Sequence, residues 1–277
     1  MNLQLLHVGH CFHPEAIITR GGSWKAQQFP AIVGLFKHPR LGHVLFDTGY
    51  AKRFLQATRP FPQRFYRWLT PMHLCDKQQL LTQLKDRGIE RDDIRHIFVS
   101  HFHADHIAGL LDFPNATYIC SRSGLQSMRQ RTGINALIKG YLRDLMPEDF
   151  EQRVRFIEAS PEYQLPVNMA PFSRAYDIFN DGSFLAIELP GHAFGHFGLL
   201  TAIGNDSVFL IGDACWTEQT LITTSRPHPL ANLVLSDKYQ YYDTIDRLAQ
   251  LYGYNRSIRI IPSHCMNSYE RFCAHYH

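Results

Sequence analysis

Five stretches of this chain read as short buried strands, and each one delivers an aspartate or a histidine at its end. "GHVLFDTG" leads to Asp47, "RHIFVSH" to His101, "SVFLIGDA" to Asp213 and "IRIIPSH" to His264. "FLAIELPGH" reaches His192 by way of Pro190 and Gly191. Runs this short, apolar and rich in β-branched or aromatic residues favour strands over helices. Between them lie helix-like segments. Asp76 is expected to cap "KQQLLTQLKDR", with Gln79 as the capping-box partner and Gly88 as the stop. Ser236 is expected to cap "DKYQYYDTIDRLAQLY", with Tyr241, Ile245, Leu248 and Tyr252 on one face and Gly253 as the stop. Strands alternating with helices predict a layered α/β domain.

The 277 residues carry no repeat, low-complexity tract or Gly/Ser linker, which favours one domain over residues 1–277. Residues 51–75 mix arginine with Phe, Tyr and Trp, and residues 121–150 read as two helices broken near Gly133. Both are expected to be insertions that act as lids over a site, the alternative being a surface loop and a peripheral helical hairpin. A net charge of +3 is too small to argue for nucleic acid. The chain has neither a signal-peptide pattern at "MNLQLLHVGH" nor an apolar run long enough to span a bilayer. The six cysteines (Cys11, Cys75, Cys120, Cys215, Cys265 and Cys273) form no CxxC pair. They are expected to be reduced, in a cytoplasmic protein.

The densest chemistry lies in His101-Phe102-His103-Ala104-Asp105-His106. Residues two apart in an extended segment point the same way, so His101 and His103 can grip one metal ion from one side. Asp105 and His106 fall after the chain bends and can face a second ion. Imidazole with carboxylate suits zinc, with iron or manganese as alternatives. Each ion needs completion, and His192, Asp213 and His264 offer it. The expected sets are His101, His103, His192 and Asp213 for one ion, and Asp105, His106, His264 and Asp213 for the other, with Asp213 shared. Two ions held this way make a hydrolytic clamp, with open positions for a bridging hydroxide and a substrate oxygen. Asp47 is either a carboxylate that orients a ligating histidine or a turn residue before Gly49. His196 is expected to pack beside the site without ligating. His7, His10 and His13 have no supported role, and His38, His43, His73, His96, His228, His275 and His277 read as structural or solvated. Cys215 reads as a small core residue.

These motifs, "HFHADH" at 101–106, "PGHAFGH" at 190–196, "GDA" at 212–214, "SH" at 263–264 and "FDTG" at 46–49, resemble those of the metallo-β-lactamase superfamily. They occur in the family's order across nearly the whole chain. The resemblance implies a four-layer αβ/βα sandwich, two mixed sheets face to face with helices outside, and a dinuclear site at one edge. Within the superfamily the chain is most similar to the lactonase-like hydrolases, which include N-acyl homoserine lactonases. Those enzymes carry a tyrosine three residues beyond the bridging aspartate, which contacts the substrate carbonyl. Trp216 stands there in this chain, and an indole donates one hydrogen bond but is no phenol. Flavodiiron proteins differ by a glutamate where His103 stands. Glyoxalase II-like thioesterases typically carry a C-terminal helical domain, and none is expected in the short stretch after His264.

The expected activity is hydrolysis of an ester-type bond, a lactone above all, by a metal-bridging hydroxide. Asp105 would pass a proton to the leaving group, as the resemblance implies. Thioester or phosphodiester hydrolysis on the same site and mononuclear iron-dependent oxygen chemistry are the alternatives, as is a binding protein whose lid closes the site. The expected partner is a small molecule with an apolar portion, its acyl chain shaped by Trp216 with Phe54, Phe65, Tyr66 and Trp68; a packed lid without substrate contact is the other reading of the last four. No nucleic-acid or membrane partner is expected, and pairing of apolar lids would make a homodimer.

Overall fold

The computed structural model describes residues 1–276; His277, read from sequence as structural or solvated, lies outside the described residues. Two mixed sheets form its centre. The first contains β1 (Asn2–Pro14), β2 (Ala26–His38), β3 (Gly42–Phe46), β4 (Met72–His73), β5 (Ile94–Phe98), β6 (Thr117–Cys120) and β7 (Val154–Phe156), in the order β4-β1-β2-β3-β5-β6-β7. The second contains β8 (Glu162–Gln164), β9 (Arg174–Asp177), β10 (Leu185–Glu188), β11 (Phe197–Ile203), β12 (Asp206–Gly212) and β13 (Ile258–Pro262), in the order β13-β12-β11-β10-β9-β8.

Hairpin partners are antiparallel, from β1 to β3 and from β8 to β12. The pairs β3–β5, β5–β6, β6–β7 and β12–β13 are parallel. Parallel neighbours require crossovers, and helical segments fill them, the longest being the helix Lys238–Tyr254 between β12 and β13. Parallel strands finish at a common edge. Phe46 and Phe98 pair at the ends of β3 and β5, and Gly212 pairs with Pro262 at the ends of β12 and β13.

The near-continuous apolar runs follow from burial on both faces. Val208 and Leu210 of β12 point into the core between the sheets, with Phe36, Phe46, Phe98 and Leu199. Phe209 and Ile211 alternate to the outer face. There Ile245, Leu248 and Leu251 of the long helix cover the second sheet, while Leu80, Leu84 and Ile107 belong to the same outer core as Leu6, Leu45 and Ile97 of the first. The result is helix, sheet, sheet, helix, the expected four layers.

Helix starts differ from the sequence reading. Asp76 opens only a single 3-10 turn, Asp76–Gln78; Gln79 is extended and the helix proper runs Leu80–Lys85. The Gln79 amide donates to Asp76 Oδ1 at 2.9 Å, and Lys52 pairs with the same carboxylate, so Asp76 does not cap the helix. The long helix is capped by Asp237, whose Oδ1 accepts from the N–H groups of Tyr239 and Gln240. Ser236 donates instead to the Gly191 carbonyl at 2.9 Å. The helix also runs one residue past Gly253, to Tyr254.

Candidate metal centre

All five strand ends meet at one edge of the sandwich. Residues 101–103 are extended, and the chain turns at Ala104 into the short helix Ala104–Ile107. That bend separates His101 and His103 from Asp105 and His106. The donor atoms fall into two groups: His101, His103, His192 and Asp213, and Asp105, His106 and His264. Asp213 joins them. Its Oδ2 lies 3.3 Å from His192 Nε2 and 3.1 Å from His264 Nε2, and its Oδ1 lies 3.2 Å from His106 Nε2. Asp105 Oδ2 closes the second group at 3.3 Å from His264 Nε2. The loop after β5 supplies His101, His103, Asp105 and His106, whereas His192, Asp213 and His264 follow strands of the second sheet.

The side chains around these groups fix which nitrogen faces inward. His264 Nδ1 lies 2.7 Å from the Pro30 carbonyl oxygen, which can only accept, so Nδ1 carries the proton and Nε2 faces the carboxylates. His106 Nδ1 donates to Asp47 Oδ2 at 2.7 Å. Asp47 also accepts from Ser100, at 2.8 Å from its N–H and 2.7 Å from its hydroxyl, and Ser100 Oγ lies 3.0 Å from His101 Nδ1. One buried carboxylate thus orients two imidazoles, the first of the two roles considered for Asp47.

Cations fit what remains. His101 Nε2, His106 Nε2 and Asp213 Oδ1 are buried and make no hydrogen bond among the described residues, a costly arrangement for protein atoms alone. His192 Nε2 and His103 Nδ1 face each other at 3.0 Å. Burial holds the imidazoles of His101 and His192 well below their usual pKa and that of His103 at about 4, so all three are neutral, the ligating form. Burial is the largest influence on His106 and His264 too and opposes their charge, but Asp213 and Asp105, joined at His106 by Asp47, together outweigh it and raise both. Asp213 itself is pushed up by burial and pulled further down by His264, His106 and His192, so it stays ionised.

Two further residues support the site, His196 as expected and Gly140 unforeseen. His196 does not join either donor group; its Nε2 accepts from the Asp213 N–H at 3.1 Å. Gly140 sits against His103: a Cβ there would lie 2.7 Å from His103 Cδ2. The spacing of His196 four residues after His192 was visible in sequence, but nothing local pointed to Gly140. The Pro190–Gly191–His192 turn is clamped by the long helix. Ser236 and Asp237 donate their N–H groups to the carbonyls of His192 and Gly191, and the Thr244 hydroxyl donates to Pro190. Gly191 has φ +117°, and a Cβ there would lie 2.0 Å from the Tyr241 nitrogen.

Residues 121–150 contain helices Arg122–Gln130 and Gly133–Ile138, broken where expected, and Gly140 and Tyr141 follow them onto His103. In residues 51–75, Phe54 is buried against Tyr50 and Tyr66, whereas Phe65 and Trp68 are exposed, so the four aromatics do not line one pocket. Trp216 is buried edge-on to His192, with ring centres 5.8 Å apart, and against Tyr241. Cys215 is fully buried, and burial pushes its thiol well up, as suits a core residue.

The metallo-beta-lactamase superfamily model matches residues 33–252. An N-acyl homoserine lactonase AttM from Rhizobium radiobacter is 26% identical over 260 residues, covering 91% of this chain and 88% of that protein. A solved N-acyl homoserine lactone hydrolase with N-hexanoyl-L-homoserine bound at its catalytic metal centre superposes with a TM-score of 0.73 at 20% identity, covering 97% of this chain and 95% of that one. The dizinc quorum-quenching lactonase AidC gives a TM-score of 0.64 at 19% identity, over 95% and 87% of the two chains.

Proposed function

The chain belongs to the metallo-beta-lactamase superfamily, and from that membership we propose that it is a dinuclear metal-dependent hydrolase of an ester-type bond, with a lactone as substrate. One observation carries the reading: seven donors stand in two groups, with Asp213 within reach of both. Two divalent ions, zinc by this mix of imidazole and carboxylate, would supply Lewis acidity and the activation of water.

His101, His103 and His192 would hold one ion, and Asp105, His106 and His264 the other, with Asp213 between them. Asp105 is the least buried of the seven. That exposure supports its second task, carrying a proton to the alkoxide that leaves when the ring opens. A cleft of about 720 Å³ has His264 in its wall, with Ile18, Phe29, Ile222 and Met266 beside Gln27, Gln28 and Glu15. Its size suits a lactone with a substituent, and its mixed lining accepts both apolar and polar parts. The contact of Gly140 with His103 favours residues 121–150 as a cover over the site. The AttM relatives support the lactone over other esters, and the tyrosine-to-tryptophan change at Trp216 leaves the carbonyl contact to another donor.

The test is a hydrolysis panel of lactones, open-chain esters, thioesters and phosphodiesters on metal-quantified protein, with Asp105→Asn as control. Lactones are expected to turn over fastest, and Asp105→Asn to lose on the order of 10²-fold in rate. Faster thioester or phosphodiester cleavage refutes the lactone assignment, and bound iron with substrate-dependent oxygen uptake refutes hydrolysis. An Asp105→Asn enzyme with full metal content and full rate removes the proton-carrier role.

A further inference from the structure

Residues 52–69 present an apolar surface that includes Phe65 and Trp68, the two acyl-chain candidates that turn outward. Phe61, Phe65, Trp68 and Leu69 are 58%, 48%, 57% and 72% exposed. The three rings pack edge to face, at 5.4 Å for Phe61–Phe65, 5.8 Å for Phe61–Trp68 and 5.6 Å for Phe65–Trp68. They form a pre-ordered ridge rather than scattered side chains, and a contiguous apolar surface of this kind marks an interaction site. Arginines stand around it. Arg59, Arg64 and Arg67 form no ion pair among the described residues, whereas Lys52 and Arg53 are tied to Asp76 and Asp112. Arg64 lies over the Phe61 ring at 5.0 Å, and its Nε–H donates to the Arg59 carbonyl at 2.9 Å. From Tyr50 to Cys75 the chain contains no aspartate or glutamate.

We propose that this ridge docks the protein on an anionic lipid surface. Trp and Phe suit the boundary between headgroups and acyl chains, and arginines beside them suit lipid phosphates. A second copy of the chain fits less well. A two-fold contact would set the patch against itself, bringing unpaired arginines together with no acidic partner. No described helix is long and apolar enough to cross a membrane; the absence of a spanning segment in the sequence suggested no membrane partner, but lying on a surface needs none. The ridge is also close to the metal motif. Arg53, at its base, reaches the Ala108 carbonyl at 3.5 Å and Asp112 at 2.8 Å, just beyond the helix that carries Asp105 and His106. Docking does not depend on the hydrolase reading; if that reading holds, the site would sit where acyl-bearing substrates accumulate.

The experiment is co-sedimentation of the full chain with vesicles of phosphatidylcholine alone and of phosphatidylcholine mixed with phosphatidylglycerol. Binding is expected to the mixed vesicles, to weaken with added salt, and to be lost in W68S and F65S. R59Q/R64Q/R67Q is expected to bind on the order of 100-fold more weakly, at about fivefold per arginine. Circular dichroism melts establish that the variants are folded, and W68S, altered at an exposed ring, guards against misfolding of the triple variant. Folded wild-type chain that ignores the mixed vesicles overturns the proposal, as does equal binding by W68S and the triple variant. So does a solution dimer that W68S splits, which would assign the ridge to a second copy.

Discussion

Replacing Asp47 by asparagine changes little volume but reverses one hydrogen bond. The Asp47 carboxylate accepts from His106 Nδ1 at 2.7 Å and from Ser100 at 2.8 and 2.7 Å. An asparagine amide turned toward His106 would donate to Nδ1. That puts the imidazole proton on Nε2, the atom that faces Asp213 at 3.2 Å and is expected to meet the metal. Turned the other way, the amide leaves its NH₂ against the Ser100 N–H, and that buried donor is unsatisfied. Either choice weakens ligation by His106, and the first also loosens His101 through Ser100. Loss of such an orienting partner typically lowers metal affinity about 10- to 100-fold, or roughly 1.4–2.8 kcal/mol. The metal-free chain is expected to lose about 1–3 kcal/mol as well, from buried bonds to a charged acceptor. Competitive chelator titration of wild type and D47N, with metal content read by mass spectrometry, measures the first effect. Denaturant melts of the stripped proteins measure the second. A folded D47N that holds both ions with wild-type affinity refutes the tautomer argument.

Further outcomes follow from the same contacts. Gly140→Ala, with φ +69° and a Cβ 2.7 Å from His103 Cδ2, should cost about 1–3 kcal/mol and selectively weaken the ion held by His101, His103 and His192, which two-step metal titration would resolve. Gly191→Ala drives a Cβ into the Tyr241 backbone at 2.0 Å, and a loss of about 3 kcal/mol or more in denaturant melts is expected. His196→Ala strands the buried Asp213 N–H and should cost about 1–3 kcal/mol in the same assay. Against the opposing effect of burial, Asp213 and the neighbouring carboxylates raise the pKa of both His106 and His264 in the stripped chain, so metal must displace the protons these imidazoles favour. Titration calorimetry in buffers of different ionisation enthalpy should therefore show proton release at pH 7 that fades as the pH rises through these raised pKa values; heats independent of buffer would contradict it.

The strands and the donors were legible because each is a local pattern, an apolar run followed at once by a ligand. Val208 to Ile211 alternate between two cores, which is why that run reads as apolar without a break. Helix starts were less legible because the deciding contacts are distant. Ser236 and Asp237 are both good caps, and the Gly191 carbonyl engages the serine and leaves the helix to the aspartate. The supports of the site were hardest to see. Pro30 reaches His264 across 234 positions, and nothing near Gly140 names His103 as its neighbour. Aromatic content marked residues 51–75 as unusual but did not say that Phe65 and Trp68 turn outward while Phe54 turns in.

The origin of the donors has a consequence for how the chain matures. Each ion would take two donors from the loop after β5 and the remainder from the loops that follow strands of the second sheet, with Asp213 within reach of both sets. Neither half alone can hold a closed cage. Metal uptake would thus act as a late rivet across the open edge, sealed only once both sheets have met. A nascent or proteolytically nicked chain with one half unfolded should lose both ions together, which makes metal content a register of assembly as well as of activity.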